Sequence, residues 1–341
     1  MHLIKQNAGQ KQVWLRSFIR CFLNNKRMLA IKTISHNSII FRRSVRLMGD
    51  QFEISVVGNN HSWAEDRFHD AIAEINRVEK LLSAFGDDSC INEINRNAGI
   101  KPVKANAEIF RLIDRSLQIS ALTHGAFDIT YYAADKDNSN FDLVQNSNTA
   151  VKCAVSNVSY TSVELNAANQ TVFLKESGMR IGFASNSKGY AADRAKYILQ
   201  LQGVSSGVIN AGGDLLTWGA QPDNEQWTIA TADPSQENQP FANVEISNMA
   251  VATSVNTEKY ATIADKKHLG SFSPKKGFTV SKIKSVSIIS TTAELADAMA
   301  TPLLTIGLNA GLYLINQLNQ MAAVIIDDHD RVYTSKNINI N

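Results

Sequence analysis

Apolar and polar positions along this chain follow two periods that alternate from residue 52 to the C-terminus. Phe52–Val57 alternates as a half-buried strand does. Over residues 62–86, Trp63, Phe68, Ala71, Ile75, Val78, Leu82 and Phe85 recur at helical spacing. A second helix is predicted over about 107–123, ending at Gly125. Two short apolar runs, Ser162–Leu165 and Thr171–Leu174, flank an Asn-rich turn and predict a hairpin. A helix over about 188–202 leads to strands at Ser206–Ile209, Trp227–Ala230, Ala242–Ile246 and Lys284–Ile289. Helices over about 292–304 and 309–319 precede the strand Ala322–Ile326, and Arg331–Ser335 closes the chain as a strand. Strand pairs thus alternate with helix pairs in two rounds. That order predicts an α+β fold of antiparallel sheet packed by helices, with an internal duplication.

Charge divides the chain differently. Ten of the 34 Lys and Arg lie in residues 1–47, which contain no Asp or Glu. The remainder holds 24 bases against 32 acids, a balance of −8 hidden by the overall +2. An acidic body excludes nucleic acid as its partner. Residues 1–40 are therefore read as a basic N-terminal segment and 41–341 as the folded domain. Within the segment, Trp14, Leu15, Phe18, Ile19 and Phe22 share one side of a helical wheel over residues 13–28, and Arg16, Arg20, Asn24 and Arg27 share the other. Such a helix suits contact with an anionic membrane surface or a degenerate export or anchoring signal; the alternative reading of residues 1–40 is a disordered N-terminal extension. Lys32 interrupts the apolar run Met28–Ile31, so neither a clean signal peptide nor a membrane span is present in this stretch. Three widely spaced cysteines, Cys21, Cys90 and Cys153, exclude a disulfide framework and leave the compartment open.

Three places carry candidate chemistry. Asn210-Ala211-Gly212-Gly213-Asp214 follows a strand, and its paired glycines permit positive φ and close approach of backbone to a ligand. Asp297 and Thr301 are four apart in AELADAMAT, so a carboxylate and a hydroxyl share one helical face and suit Mg²⁺. Lys188-Gly189 opens a helix, which places a cation beside free helix-terminal amides and makes a candidate anion site. Asp327-Asp328-His329-Asp330 lies between two strands and is read as a polar turn, not a metal cluster. Neither a G-x-G-x-x-G nor a P-loop signature occurs.

In order, the motifs LMGDQFEISVV, LLSAFGDDSCINEINRNAG, THGAFDIT, GFASNSKGYAADRA, NAGGDLLTWG, VATSVNTEKYA, SPKKG and AELADAMATPLLTIG resemble the ApbE-type FAD:protein FMN transferases across residues 42–336. The resemblance implies an ApbE-like, T-fold-like architecture of duplicated antiparallel sheets packed with helices. It implies transfer of FMN from FAD, as substrate, to a Ser or Thr of an acceptor flavoprotein, with release of AMP. It implies that Met48, Phe85, Ala126, Phe127, Asp128, Lys188, Gly212 and Gly213 meet the flavin nucleotide, and that Ser185 (through its carbonyl), Asp297 and Thr301 hold Mg²⁺. It favours a periplasmic or membrane-associated location.

The chain also departs from the family pattern. Ala184-Ser185-Asn186-Ser187 replaces the family's G-G-I-A/G before the lysine, and Gly182 replaces an acid. Val255 stands where the family has glycine, at an expected positive-φ position. Gly270 and Ser273 fall where the family has His and Asp, groups suited to activating the acceptor hydroxyl, and Phe272 and Lys276 match its Ile and Thr positions. His268 is the candidate substitute base. These departures predict impaired transfer. The alternative is a non-catalytic FAD-binding module or scaffold for the flavoprotein partner.

Overall fold

The structure is a computed structural model that describes residues 38–84, 89–132, 158–184, 186–232, 240–255, 262–263, 266–267 and 283–336. The basic segment with its amphipathic stretch over 13–28 lies outside these residues.

Two similar units build the fold. In the first, β1 (Ile39–Leu47) and β2 (Asp50–Gly58) form a hairpin, followed by helix α1 (His61–Leu82). An elaboration follows: α2 (Cys90–Arg96), β3 (Val103–Lys104), α3 (Ala107–Leu122), β4 (Thr130–Tyr132), β5 (Val163–Asn166), β6 (Thr171–Leu174) and β7 (Met179–Ile181). Helix α4 (Ser187–Leu201) and the hairpin β8 (Gly207–Ala211)–β9 (Asp214–Trp218) complete the unit. A hairpin of β10 (Trp227–Ala232) and β11 (Pro240–Ile246) separates it from the second. There β12 (Ala250–Val255), a small hairpin of β13 (Thr262–Ile263) and β14 (Lys266–Lys267), and β15 (Ile283–Ser290) precede α5 (Ala293–Ile306) and α6 (Leu308–Ile315), and β16 (Met321–Asp327) and β17 (Val332–Thr334) end it.

The units fuse edge to edge. One eight-stranded sheet runs β1-β2-β8-β9-β12-β15-β16-β17, antiparallel throughout, and β9 meets β12 where Ala250 pairs with Leu216. Each half reads as two strands, helices, two strands, so the predicted two rounds are the two halves of a single sheet. Helix α1 covers β1 and β2, α4 covers β8, and α5 covers β12 and β15. Phe52, Ile54 and Val56 of β2 alternate into the core beneath Phe68, Ala71, Ile75 and Val78 of α1. The predicted helix over 62–86 ends at Leu82, because Ser83 is already extended (φ −60°, ψ 127°).

The hairpin of β5 and β6 forms as expected, with Leu165 opposite Val172. Strand β1 has no counterpart among the predicted elements. Its alternation, Ile-Phe-Arg-Arg-Ser-Val-Arg-Leu over 40–47, is masked by Arg43, which shares the inward face with Phe41 and Val45 and pairs with Glu65 of α1, while Arg42 and Arg46 face outward on an edge strand, where charge blocks unwanted pairing. Among the described residues no helix is long and apolar enough to cross a membrane.

Candidate active site

Two tight turns and two helices converge where the halves fuse. Between Leu47 and Asp50, Met48 (φ 51°) and Gly49 (φ 78°) form a two-residue hairpin turn, left-handed at both positions, which suits the twist of the strands. Methionine is uncommon in that conformation, and Met48 rests half-buried against the core. Gly212 (φ 68°) and Gly213 (φ 107°) make the matching turn between Ala211 and Asp214. The Gly212 N–H donates to the Gln51 carbonyl (2.9 Å) and the Gly213 N–H to Asn210 Oδ1 (2.8 Å). Both amides are thus satisfied within the protein, and what the turn offers a ligand is bare backbone surface.

Lys188 stands in the first turn of α4, and its Nζ donates to Asp50 Oδ2 at 2.9 Å. Burial disfavours the charged amine, but Asp50, with Asp214 and Asp297 behind it, outweighs burial and raises the Lys188 pKa. The Gly189 N–H points at Asp297 Oδ2 from 3.4 Å. The anion at the positive end of α4 is therefore the chain's own carboxylate. Burial, then the charge of Asp214, pushes Asp297 up to about 7. Burial also pushes Asp214 up to about 6, against the pull of Lys188 and a hydrogen bond from the Thr253 backbone. Two carboxylates that resist ionising together form a place that a divalent cation would relieve. One turn beyond Asp297, Thr301 is exposed, with its Oγ1 2.8 Å from Ser254 Oγ on β12. The shared helical face inferred from the spacing is thus present, and it looks onto β12.

Asp50, Asp214 and Ser254 are the members of this cluster that periodicity did not disclose. Each acid is the first residue after a tight turn, which is a weak local signal. Their meeting with Lys188, 138 positions beyond Asp50, has none. At the far edge of the sheet, Asp327, Asp328 and His329 offer ligand atoms within 4.8 Å of one another. Asp327 nevertheless spends its oxygens on His329 N, Arg331 N, Arg331 Nε and the Tyr333 hydroxyl. These are the bonds of a polar turn joining β16 to β17.

A model of the ApbE family matches residues 48–325, which include Asp50, Lys188, Asp214, Ser254, Asp297 and Thr301. The chain belongs to the ApbE family. Among similar proteins are two called FAD:protein FMN transferase. One, from Klebsiella pneumoniae (strain 342), is 26% identical over 274 residues, 77% of each chain. The other, from Treponema pallidum (strain Nichols), is 27% identical over 291 residues, 79% of this chain and 80% of its own. The solved ApbE protein of Thermotoga maritima superposes with a TM-score of 0.71 at 23% identity, covering 88% of this chain and 98% of that one. The apo flavinyl transferase ApbE of Pseudomonas stutzeri gives 0.72 at 21%, covering 88% and 95%. At these identities the two structures establish the ApbE fold.

The other residues that the ApbE pattern singles out are placed as follows. Phe127 is buried in the core, and its N–H donates to Thr123 Oγ1 at 3.0 Å. Asp128 accepts from the Thr130 N–H and hydroxyl and from the Tyr160 N–H, so its carboxylate ties β4 to the turn before β5. Ala126 lies beside them in the loop after α3. Phe85, Ser185, His268, Gly270 and Ser273 lie outside the described residues. Val255 corrects an expectation. It ends β12 opposite Ser285 in extended backbone, so its β-branched side chain meets no left-handed strain.

Proposed function

We propose that this chain is a Mg²⁺-dependent FAD:protein FMN transferase that moves FMN from FAD to a Ser or Thr hydroxyl of an acceptor flavoprotein and releases AMP. The observation that carries the reading is the convergence of Lys188 with the mutually repelling carboxylates of Asp214 and Asp297 beside the Gly212-Gly213 turn. Relatives that cover most of their own length with this chain bear the name of that activity.

The donor set fits the metal. Mg²⁺ takes hard oxygen ligands, and Asp297, Thr301 and Asp214 supply carboxylate and hydroxyl oxygens from α5 and β9, with the Ser185 carbonyl proposed as a further ligand. Bound there, the metal supplies neutralisation of the pyrophosphate charge. Lys188 would hold a phosphate oxygen, and the bare turn at Gly212-Gly213 admits the dinucleotide to the backbone. Met48, Phe85, Ala126 and Asp128 are proposed to line the flavin end, whereas Phe127, expected there from the family pattern, is buried and packs in the core. In the transfer, the acceptor oxygen bonds to the FMN phosphorus. The bond from that phosphorus to the bridging oxygen breaks, and AMP leaves with that oxygen. The hydroxyl proton passes to a base, for which His268 is proposed. With Gly270 and Ser273 in place of the family's His and Asp, proton removal is the weakened step, and loss of a general base costs about 10²–10⁴-fold in rate.

The test incubates the full chain with FAD, Mg²⁺ and an acceptor bearing a Ser/Thr flavinylation site, read by intact mass and AMP release. A mass gain of one FMN, lost with Asp297→Ala, is expected. FAD binding without any mass gain would replace this reading with a non-catalytic flavin-binding module. Absence of FAD binding would remove both.

A further inference from the structure

The lysine expected to meet the dinucleotide phosphate is already engaged. Lys188 Nζ lies 2.9 Å from Asp50 Oδ2, and a Cβ added to Gly212 would stand 2.6 Å from that oxygen and 3.1 Å from that nitrogen. The ion pair therefore sits against the bare face of the double-glycine turn, in the space this turn would offer a ligand. Its carboxylate partner is held in place. Asp50 opens β2 directly after the Met48-Gly49 turn, pairs with Leu47, and accepts the Gln51 N–H on Oδ1 at 2.8 Å. Among the described residues Lys188 is the one cation drawing on both Asp214 and Asp297, so Asp50 is a third carboxylate around one amine.

We propose that Asp50 sets the affinity of the phosphate site: its carboxylate occupies Lys188 as an internal stand-in for phosphate and gives the lysine up when the nucleotide binds. The proposal rests on the assignment of this site to FAD. A carboxylate beside an incoming phosphate repels it, and the lysine's bond to Asp50 must be exchanged on binding. If Asp50 instead served to orient Lys188 for the phosphate, removing its charge would weaken binding, so the two roles differ in sign.

Asp50→Asn keeps the shape and the acceptor for the Gln51 amide. Full-length wild type and D50N are titrated with inorganic pyrophosphate and with FAD in the presence of Mg²⁺. D50N is expected to bind both about tenfold more tightly, with the gap shrinking as salt is raised. Equal or weaker binding by D50N overturns the proposal. A second measurement needs no ligand. Competitive acetylation with acetic anhydride, read by peptide mass spectrometry, should label Lys188 several-fold faster in D50N, with Lys80 and Lys101 as internal standards. An unchanged Lys188 rate shows that Asp50 does not hold the lysine and also overturns the proposal. A wild type that fails to bind FAD while D50N exposes Lys188 would remove the flavin assignment and leave the ion-pair lock in place.

Discussion

Helix α4 has two seams, and they are built on different physics. Toward α1 the seam is ionic and open to solvent at its edge. Arg77 donates to both oxygens of Glu74 and both of Glu108, Arg194 Nε donates to Glu74 at 2.8 Å, and the Tyr190 hydroxyl donates to Glu108 at 2.7 Å. Burial alone would raise the pKa of Glu74 and Glu108, but the arginines outweigh it and lower both. Toward α5 the seam is close. A Cβ on Gly189 would stand 2.5 Å from the Ala293 carbonyl oxygen, and the half-buried Asp193 carboxylate accepts the N–H groups of Ala293 (3.0 Å) and Glu294 (2.8 Å). The first seam tolerates adjustment, because long side chains can re-pair. The second aligns backbone with backbone, and it carries the site: Lys188 and Gly189 on one helix, Asp297 and Thr301 on the other.

That contrast predicts a ranking of damage. Gly189→Ala should do most, because the added methyl meets the backbone of α5, which has no rotamer to yield. A loss of about 3 kcal/mol is expected in urea denaturation, together with loss of Mg²⁺-dependent FAD binding as Asp297 is moved from the start of α4. A Gly189→Ala protein that unfolds at the wild-type urea midpoint would contradict a backbone-tight seam.

Asp193→Asn should come next, at about 1–3 kcal/mol, since one of the two α5 amides loses its acceptor inside the protein. Its cost should vary with pH. Burial raises Asp193 to about 6, above its ordinary 3.8, with Lys196 and Glu294 the charged groups that face it. A folded value above the unfolded one means that the proton favours the fold. The stability due to this group is full below about pH 4 and is lost as pH rises through about 6. The melting-temperature gap between wild type and D193N should therefore narrow from pH 4 to 7, and a constant gap would argue against a proton-binding Asp193.

Arg77→Ala should do least, about 1 kcal/mol, because Arg194 still serves Glu74 and Tyr190 still serves Glu108. Its effect should fade in high salt, measured by the same denaturation series. A cost equal to that of Asp193→Asn, unaffected by salt, would make the two seams alike.

Local pattern announced much of this molecule. The helical spacing of Phe68, Ala71, Ile75 and Val78 and the alternation of Phe52, Ile54 and Val56 were legible because each element buries one face, and a buried face is a sequence period. Strands β9 and β12 are not legible in this way. They are short, and β12 begins Ala250-Val251-Ala252 with all three buried, so no period remains to be read. Helix α2, seven residues long, is too short to show a helical period, although Ser89 caps it through the Asn92 N–H.

By itself the sequence determined the two rounds of strands and helices, the tight glycine turn before Asp214, and the common face of Asp297 and Thr301. Each follows from neighbours within about a turn or two of chain, where covalent geometry sets who meets whom. Only the tertiary structure decided that the two rounds share one sheet, that Asp297 lies at the start of α4, and that Asp50 holds Lys188. Those outcomes depend on which surfaces cover which, because a carboxylate's pKa and a lysine's partner are set by burial and by charges brought from distant parts of the chain.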